Sequence, residues 1–438
     1  MKNITCKFGG TSLADAPAIQ NVLNIVRADS NRRFVVPSAP GKRSKDDIKI
    51  TDLLYTWHGL AQQGLEVDQP ANRIAARFRE IAEKFGLTFD IDRHIGVMRE
   101  EGGRQTTPDY LASRGEYLNG LLIAQLLGAN FVDPADCIKF NADGDLDPRT
   151  YDLLADRLSG TGVYVIPGFY GSMPNGEIKT FSRGGSDITG SIVARASGSV
   201  MYENWTDVSG FRMADPRVVP NAKRIDVITY QELRELAYMG AQVLHDEAIF
   251  PVREPGIPIN IRNTNDPENP GTLIVSKREG TNSPTHPVVG IAGRTGFTMI
   301  TIEKALMNRE RGFGRRVLQA IEEYGVNFEH MPTGIDSLSV IVREEELANH
   351  GAAIQRALQR TCEPDRLTLQ PNLALLATVG EGMVHHVGIA ARLCTALAKA
   401  SVNIRVINQG ASEMNILVGV EADDFARAMT AIYEEFDE

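Results

Sequence analysis

The sequence predicts an α/β protein: a larger part with a mainly parallel sheet, followed by two small α/β modules. Short apolar runs such as residues 34–36 and 162–166 alternate with helical patterns, which is typical of a three-layer α/β/α arrangement with helices on both faces of a sheet. Residues 281–287, rich in Thr, Asn, Ser and Pro, are predicted to be a linker. After it the order strand–helix–strand–strand–helix occurs twice, in passes of roughly 70 residues.

The composition excludes several classes of protein. A net charge of −10 argues against a general nucleic-acid binder. No stretch approaches the roughly 20 apolar residues that cross a bilayer, and the N-terminus has no export-signal pattern. We therefore expect a cytoplasmic protein without a membrane partner. The cysteines are widely spaced and form no CxxC pair, which favours reduced thiols over a zinc site or a disulfide framework; they are Cys6, Cys137, Cys362 and Cys394.

The first element joins a short strand at residues 4–6 to an apolar helix at residues 19–26 through Lys7-Phe8-Gly9-Gly10-Thr11-Ser12. Glycines let the backbone approach an anion closely, and the N–H groups of the following helix point towards it. Lys7 adds a full positive charge at the end of the strand. A short glycine motif alone also fits an ordinary tight turn with a surface lysine, so other motifs must decide.

The next elements place further polar groups near strand ends. Ser38 follows the buried strand at 34–36, and Phe169 ends the strand at 162–169. Ligands of parallel sheets usually bind beyond the carboxyl ends of the strands. Residues 42–49 are charged and predicted to be a loop, after which Thr51 either caps a helix or contacts a ligand. Glu116 closes the segment Ser-Arg-Gly-Glu that begins at residue 113 and precedes an apolar helix ending at Gly128.

A second glycine-rich turn, Phe181-Ser182-Arg183-Gly184-Gly185-Ser186-Asp187, leads into a helix of small residues. Two glycine turns with the cations Lys7 and Arg183 and the acids Asp187 and Glu116 suit phosphoryl transfer, which depends on positioning and charge neutralisation. A carboxylate acceptor is already ionised at neutral pH and needs no general base. No Walker loop is present, because Gly41-Lys42 is followed by Arg43.

With these motifs in order, the chain resembles the aspartokinases of the amino-acid kinase family. The matching segments are KFGGTS at 7–12, SRGE at 113–116, FSRGGSD at 181–187, WTDVSG at 205–210, DPR at 215–217 and GAQVLH at 240–245. The resemblance implies an amino-acid kinase domain at 1–285 and two ferredoxin-like ACT modules at 286–366 and 367–438; the first strand of module 1 could belong to module 2. It also implies ATP- and Mg²⁺-dependent phosphorylation of the side-chain carboxylate of L-aspartate, the entry to lysine, threonine and methionine synthesis, in a homodimer or homotetramer assembled through the ACT modules.

The resemblance assigns roles to individual residues. The catalytic residues are Lys7 and Asp187. Lys7 stabilises the transferring phosphoryl group, and Asp187 orients Lys7 and the array of phosphates and metal. The residues that bind the substrate are Thr51, Glu116 for the ammonium, Arg183 for the α-carboxylate, and Ser186. The residues that bind ATP are Lys7, Gly9, Gly10, Ser38, Thr206, Asp207, Arg212, Arg217 and Gln242. No side chain is expected to bind the metal directly. The residues that meet an amino-acid effector are Met307, Gly312, Phe313, Phe328 and Glu329.

Some positions depart from the family pattern. Gln242 stands where lysine is frequent and Arg212 where an aromatic is frequent, so one cation is lost and another appears nearby. In the effector loop, Glu310 and Pro332 replace the Ser and Thr of lysine-sensitive relatives, which leaves lysine and threonine both open as effectors. Trp205 is expected in the core rather than as a platform for a nucleobase. Two alternatives remain: a glutamate or acetylglutamate kinase, and a non-catalytic sensor of amino acids.

Overall fold

The computed structural model describes residues 2–102, 107–182, 184–241, 244, 246–278 and 287–437. The chain divides into two compact units. Unit 1 comprises Met1–Phe211, Asp226–Tyr230 and Gln242–Glu279. Unit 2 comprises Arg212–Ile225, Gln231–Ala241 and Gly280–Glu438. In the described residues, no helix is both long enough and apolar enough to cross a bilayer.

Unit 1 is built on strands that are mostly short. They are β1 Ile4–Phe8, β2 Arg32–Pro37, β3 Asn130–Phe131, β4 Tyr164–Val165, β5 Tyr170–Ser172, β6 Ile178–Thr180, β7 Met201–Thr206, β8 Val227–Thr229, β9 Ile259–Asn263 and β10 Thr272–Val275. Eight of them form one sheet in the order β3-β4-β2-β1-β7-β9-β10-β8, and only the β9–β10 pair is antiparallel. The predicted mainly parallel sheet is confirmed.

The helices of the first 275 residues alternate with these strands. They are α1 Ala16–Ala28, α2 Ile50–Gln62, α3 Asp68–Lys84, α4 Ile91–Gly102, α5 Asp109–Leu127, α6 Pro134–Cys137, α7 Arg149–Arg157, α8 Gly185–Ala196, α9 Tyr230–Tyr238 and α10 Phe250–Arg253. The helix α9 begins in unit 1 and continues in unit 2. Its start is fixed in unit 1 because the Tyr230 hydroxyl donates to the carbonyl of Ile257 at 2.7 Å.

The alternation of side chains along β1 separates the two faces of the sheet. Cys6 and Phe8 lie in one apolar core with residues of α1, α2 and α5. The residues between them face α8: Thr5 bonds to Ser199 just after that helix, and Lys7 reaches Asp187 within it. The strand β1 therefore contributes apolar side chains to the core on one face and polar side chains towards α8 on the other.

Unit 2 contains a five-stranded antiparallel sheet in the order β12-β11-β13-β15-β14. Its strands are β11 Gly290–Glu303, β12 Ser337–Arg343, β13 Arg366–Val379, β14 Val406–Gln409 and β15 Asn415–Glu421. Its helices are α11 Phe313–Glu322, α12 Glu344–Leu347, α13 Gly351–Cys362, α14 Ile389–Lys399 and α15 Phe425–Phe436. The predicted order strand–helix–strand–strand–helix is confirmed in the second pass, β13-α14-β14-β15-α15. In the first pass it is wrong by one strand, because between α11 and β12 the chain forms only isolated bridges such as that of His330 with Ile341.

The long strands β11 and β13 serve two cores. The start of β11, at Ile291, packs with α14 and α15, whereas Ile300 and Ile302 pack with α11 and α13. The ladder with β13 shifts register between Arg294 and Phe297, where Gly296 has a φ of 89°. The sequence pattern suggested two separate strands at 288–292 and 299–302. That prediction is wrong, because a bulge bends one continuous strand instead of ending it.

Candidate active site

The two glycine turns bring opposite charges together. The Nζ atom of Lys7, at the end of β1, lies 2.6 Å from Oδ1 of Asp187 in the first turn of α8. Both side chains are largely buried, with exposed fractions of 11% and 15%. Burial of such a pair is tolerated only when its partners satisfy the charges. Two residues far apart in sequence therefore form one charged corner.

The backbone of the first turn is held on both sides. The Gly9 N–H donates to the Trp205 carbonyl at 3.1 Å, and the Gly41 N–H donates to the Gly10 carbonyl at 2.8 Å. A Cβ on Gly41 would lie 2.6 Å from the Gly10 carbonyl carbon, and one on Gly10 would lie 3.0 Å from the Ala39 carbonyl oxygen. Glycine is therefore required where these two loops touch.

The second turn positions Asp187 without using it as a cap. Gly184, with a φ of 58°, is the N-cap of α8, and Asp187 follows in the first turn, where a carboxylate is favoured by the helix dipole. Phe169 has a φ of 83°, unusual for a residue with a side chain. Its neighbour Gly168 allows close approach, because a Cβ there would lie 2.6 Å from the Cβ of Ser186. Ser186 is thus fixed against the end of β4.

Glu116 lies on α5 and forms no ion pair with any residue that the structure describes. Its side chain is almost fully buried, one part accepts the backbone N–H of Ala39, and Oε2 has no hydrogen-bond partner. Burial raises the pKa of Glu116 from 4.5 to about 8, although the Ala39 N–H and the charge of Lys7 oppose the shift. A buried carboxylate with an unpaired oxygen is costly, and this favours a missing positively charged ligand.

One turn later on α5, Asn119 contacts the same strand end. Its Nδ2 donates to the Ser38 carbonyl at 2.7 Å, and its Oδ1 has no partner. Glu116 and Asn119 together therefore hold both polar groups of the Ser38–Ala39 peptide. Sequence reasoning missed Asn119, because an isolated Asn in an apolar helix gives no signal of a contact with a distant loop.

The charged loop before α2 is fixed by a buried ion pair. Asp47 lies 2.5 Å from Nη2 of Arg77, whose other nitrogen Nη1 donates to the carbonyls of Ala14 and Gly41 at 3.1 Å each. Arg43 also bonds to Asp47 through its backbone and side chain. These contacts hold the pKa of Asp47 well below its usual range. Thr51 does not cap α2: the helix begins at Ile50 with Lys49 as its N-cap.

A third group lies at the ends of β7 and β9. The hydroxyl of Thr264 donates to the Thr206 carbonyl at 3.0 Å and lies 2.9 Å from that of Ser12. Thr206 is half-buried, and its hydroxyl donates to the exposed Asp207 at 3.2 Å. Trp205 is fully buried, as expected, and its indole N–H donates to Glu203 at 2.9 Å. It is therefore a core residue.

Several predicted site residues cannot be placed in this corner. Arg183 and Gln242 lie outside the described residues. Arg212 and Arg217 belong to unit 2. There Arg212 donates to the Ala222 carbonyl at 2.9 Å, and the exposed Arg217 pairs with Asp215 at 2.6 Å. Their role in binding ATP stays a prediction.

The residues predicted to meet an effector fall in two places: Met307, Gly312 and Phe313 lie at or just before the start of α11, whereas Phe328 and Glu329 lie beside the end of β12, where the Glu329 N–H donates to the Ile341 carbonyl at 2.8 Å. Met307 and Phe313 are buried, Gly312 is the N-cap with a φ of 73°, and Phe328 is about half exposed. Glu329 already has partners within unit 2, since Arg343 lies 2.6 Å from it and the Tyr238 hydroxyl donates to it. An effector ammonium would therefore have to compete with Arg343 for this carboxylate.

Comparison with known proteins identifies the family. The profile of the Amino acid kinase family matches residues 3–263, and an ACT domain profile matches residues 376–436. Over 453 aligned residues the chain is 41% identical to Aspartokinase 3 of Bacillus subtilis, with 98% of each chain covered. The chain belongs to the aspartokinases. The resemblance noted in the motifs is thereby confirmed over the whole sequence.

Solved structures of aspartokinases share the fold. The aspartate kinase of Clostridium acetobutylicum is 48% identical, with a TM-score of 0.94 and full coverage of both chains. Aspartokinase III of E. coli, 28% identical, gives a TM-score of 0.74 in complex with aspartate and ADP and 0.76 in complex with lysine and aspartate, again with full coverage of both chains. The predicted kinase fold followed by ACT modules is thus confirmed, while the exact domain boundaries stay predictions.

Proposed function

We propose that this chain phosphorylates the side-chain carboxylate of L-aspartate with ATP. The observation that carries the proposal is the buried Lys7–Asp187 pair at the junction of two glycine turns. It stands in a chain that matches aspartokinases over nearly its whole length. Such a corner provides positive charge and close backbone approach for a phosphoryl group, which is what phosphoryl transfer requires.

Each described side chain has a distinct role in the proposed reaction. The Lys7 ammonium neutralises charge on the phosphoryl oxygens during transfer, and Asp187 keeps that ammonium in place. The free Oε2 of Glu116 accepts the substrate ammonium. Thr51 and Ser186 would contact the substrate, and Ser38 would contact ATP. The substrate carboxylate is ionised and attacks directly, so no side chain has to remove a proton.

The remaining assignments extend the same proposal. Arg183 binds the α-carboxylate through its planar fork. Gly9 and Gly10 let the backbone approach the phosphates. Thr206 and Asp207 lie at the end of β7, where the part of the nucleotide beyond the phosphates would bind. The other residues proposed to bind ATP are Arg212, Arg217 and Gln242.

The donor groups fit Mg²⁺ bound mainly through ATP. No group of three or more His, Cys, Asp or Glu side chains suited to a metal occurs in the part of the chain that the structure describes. Mg²⁺ usually keeps several waters and binds substrate phosphates with one or two carboxylates. Asp187 would orient the phosphate–metal array through Lys7 and would not bind the ion directly. When bound, the ion would neutralise phosphate charge.

A hydroxamate assay tests the reaction, because hydroxylamine traps the acyl phosphate. We expect product with ATP, Mg²⁺ and aspartate, and none with glutamate or acetylglutamate. Product with those acids instead would identify a different kinase of the family. Tight binding of aspartate and ATP with no product from either would favour a non-catalytic sensor.

We propose feedback inhibition by lysine or threonine through the ACT modules, in a homodimer or homotetramer. The exposed edge strand β14, with Ile407 half exposed, is the kind of surface that pairs with a second copy. Light scattering should give a mass above that of one chain. Titration calorimetry should detect lysine, threonine or both, and no heat with either would contradict the effector assignment. The four free cysteines are consistent with the cytoplasmic location we propose.

A further inference from the structure

Asn204 is a buried polar residue beside the charged corner, and no role has yet been given to it. It lies on β7 directly opposite Lys7 of β1 in the parallel register. Neighbours in register point to the same face of a sheet, and both side chains here face α8. Asn204 is only 2% exposed. A buried amide in a central strand needs a specific partner.

That partner is the Asp187 carboxylate. Nδ2 of Asn204 donates to Oδ1 of Asp187 at 2.9 Å, the same oxygen that lies 2.6 Å from Lys7 Nζ. Among the described residues, no hydrogen bond to Oδ2 of Asp187 is formed. Two donors from adjacent strands therefore fix one carboxylate oxygen and leave the other for a ligand.

Because of this arrangement, the Lys7 ammonium can turn from Asp187 to another anion without leaving the carboxylate unpaired. During phosphoryl transfer its ammonium must turn towards the phosphoryl oxygens. A buried carboxylate that lost its only donor at that moment would be strongly destabilised. Asn204 continues to donate to Asp187 when Lys7 moves, so the cost of engaging the substrate is lower. We infer that Asn204 is a positioning residue that holds Asp187 for Lys7; the inference rests on the proposed phosphotransfer.

The start of α8 has a further anchor in Tyr202, whose hydroxyl also accepts a longer hydrogen bond of 3.3 Å from Nδ2 of Asn204. The hydroxyl of Tyr202, on the same face of β7, donates to the backbone carbonyl of Asp187 at 3.1 Å. Gly190 makes room for that ring, because a Cβ there would lie 2.5 Å from the Tyr202 hydroxyl oxygen. Removing the amide of Asn204 should therefore release the Asp187 side chain without displacing the start of α8.

The test compares three variants of the full chain. Asn204→Leu keeps a similar size but removes the donor. Asn204→Asp keeps the shape and replaces the donor with a second carboxyl group. Thr5→Val is the matched control: it removes a buried hydrogen bond of 2.8 Å to Ser199 on the same face of β1, away from the corner.

We expect Asn204→Leu to lower kcat by about 10- to 100-fold, the loss of one charge-assisted hydrogen bond, while KM for aspartate and ATP changes about twofold or less. Thr5→Val should leave kcat within about twofold. Equal loss in Asn204→Leu and Thr5→Val, or a rise in KM with kcat unchanged, would overturn the inference, because either result indicates a general structural role.

The pH profile gives a readout that a structural role would not produce. In Asn204→Asp two carboxylates face each other beside Lys7 and the Tyr202 hydroxyl, so they share one proton more readily as the pH falls. The protonated form can donate to Asp187 as the amide did. The kcat of Asn204→Asp relative to the unmodified chain should therefore rise about tenfold between about pH 9 and about pH 6. A flat ratio would overturn the inference.

A crystal structure of Asn204→Leu separates this inference from the proposed function. If the unmodified chain forms no aspartyl phosphate, the proposed function fails. The structure still decides the positioning role. We expect the Asp187 carboxylate to rotate from the position in which Oδ1 faces residue 204, with Lys7 following it. An Asp187 carboxylate and a Lys7 ammonium that both keep their positions would show that Asn204 does not position the pair.

Discussion

Two largely buried carboxylates of unit 1, Asp187 and Glu116, differ in their partners. Asp187 has an ammonium at 2.6 Å and an amide at 2.9 Å, both supplied by the protein. Glu116 has a backbone N–H and an oxygen with no partner, and burial raises its pKa to about 8. Asp187 thus has a cationic partner in the protein. Among the described residues Glu116 has none, so a ligand would have to supply it. A carboxylate with a cationic partner in the protein is suited to position that partner, whereas a carboxylate without one is suited to bind a ligand.

The largest effect should come from Lys7→Ala, which removes the positive charge of the Lys7–Asp187 pair. We expect kcat to fall by about 1,000-fold or more, because charge stabilisation during transfer is usually the largest single contribution. Lys139→Ala is a suitable control, since Lys139 donates to the Ala135 carbonyl and the Ser172 hydroxyl in the same unit. Undiminished kcat in Lys7→Ala would refute the role assigned to Lys7.

Glu116→Gln should change binding instead of chemistry. Gln keeps an oxygen for the Ala39 N–H but cannot become charged, so KM for aspartate should rise about 10- to 100-fold. In the unmodified chain, that KM should fall as the pH rises from 6 towards about 8, since the carboxyl must lose its proton to bind an ammonium. Steady-state kinetics at several pH values measure both effects. A pH-independent KM would contradict the ligand role.

The same variant should be more stable in alkaline solution. A carboxyl whose pKa is raised on folding, here from 4.5 to about 8, contributes stability that is present below pH 4.5 and is lost as the pH rises through 8. Glu116→Gln has no such loss. We expect its free energy of unfolding to exceed that of the unmodified chain by about 3 kcal/mol at pH 9 and to match it at pH 4. Urea unfolding at both pH values measures the difference; equal stability at pH 9 would argue against burial of the charge.

Asp47 sharpens the comparison, because its carboxylate is fully partnered yet lies in a loop. Asp47→Asn leaves the buried Arg77 without its anion, so we expect the free energy of unfolding to fall by about 2 kcal/mol with little change in kcat. The effect should disappear in acid, since a carboxyl with a lowered pKa contributes stability only above its unfolded value, and that contribution is lost as the pH falls. Asp152→Asn, on the exposed face of α7, is the control.

Much of unit 1 could be predicted from sequence. The resemblance of the two glycine turns to the aspartokinase motifs implied that Asp187 lies near Lys7. Sheet geometry alone does not give this contact, because β6, which precedes the second turn, pairs antiparallel with β5 outside the main sheet. Asn119 and Asn204 could not be predicted. Each acts through a partner distant in sequence, and neither lies in a local pattern.

Unit 2 was predicted less well in its details. The pattern predicted strands at 288–292 and 299–302 and left out residues 293–298 of β11, since a bulge and a strand end look alike in sequence. Residues 212–225 follow β7 directly, yet they group with unit 2. Their apolar side chains, such as Val219, complete a core with strands much later in the chain. Neighbourhood in sequence gave no sign of that partnership.

The continuity of β11 has a mechanical consequence. Its residues belong to both cores of unit 2. A displacement of the strand along its axis therefore moves side chains in both cores. The irregular stretch from Arg294 to Met299, which contains Gly296, can absorb part of such a shift, because the register with β13 already changes twice there. A proline or an inserted residue on one side of this stretch would disturb the core on the other side only after the irregular stretch could absorb no more displacement.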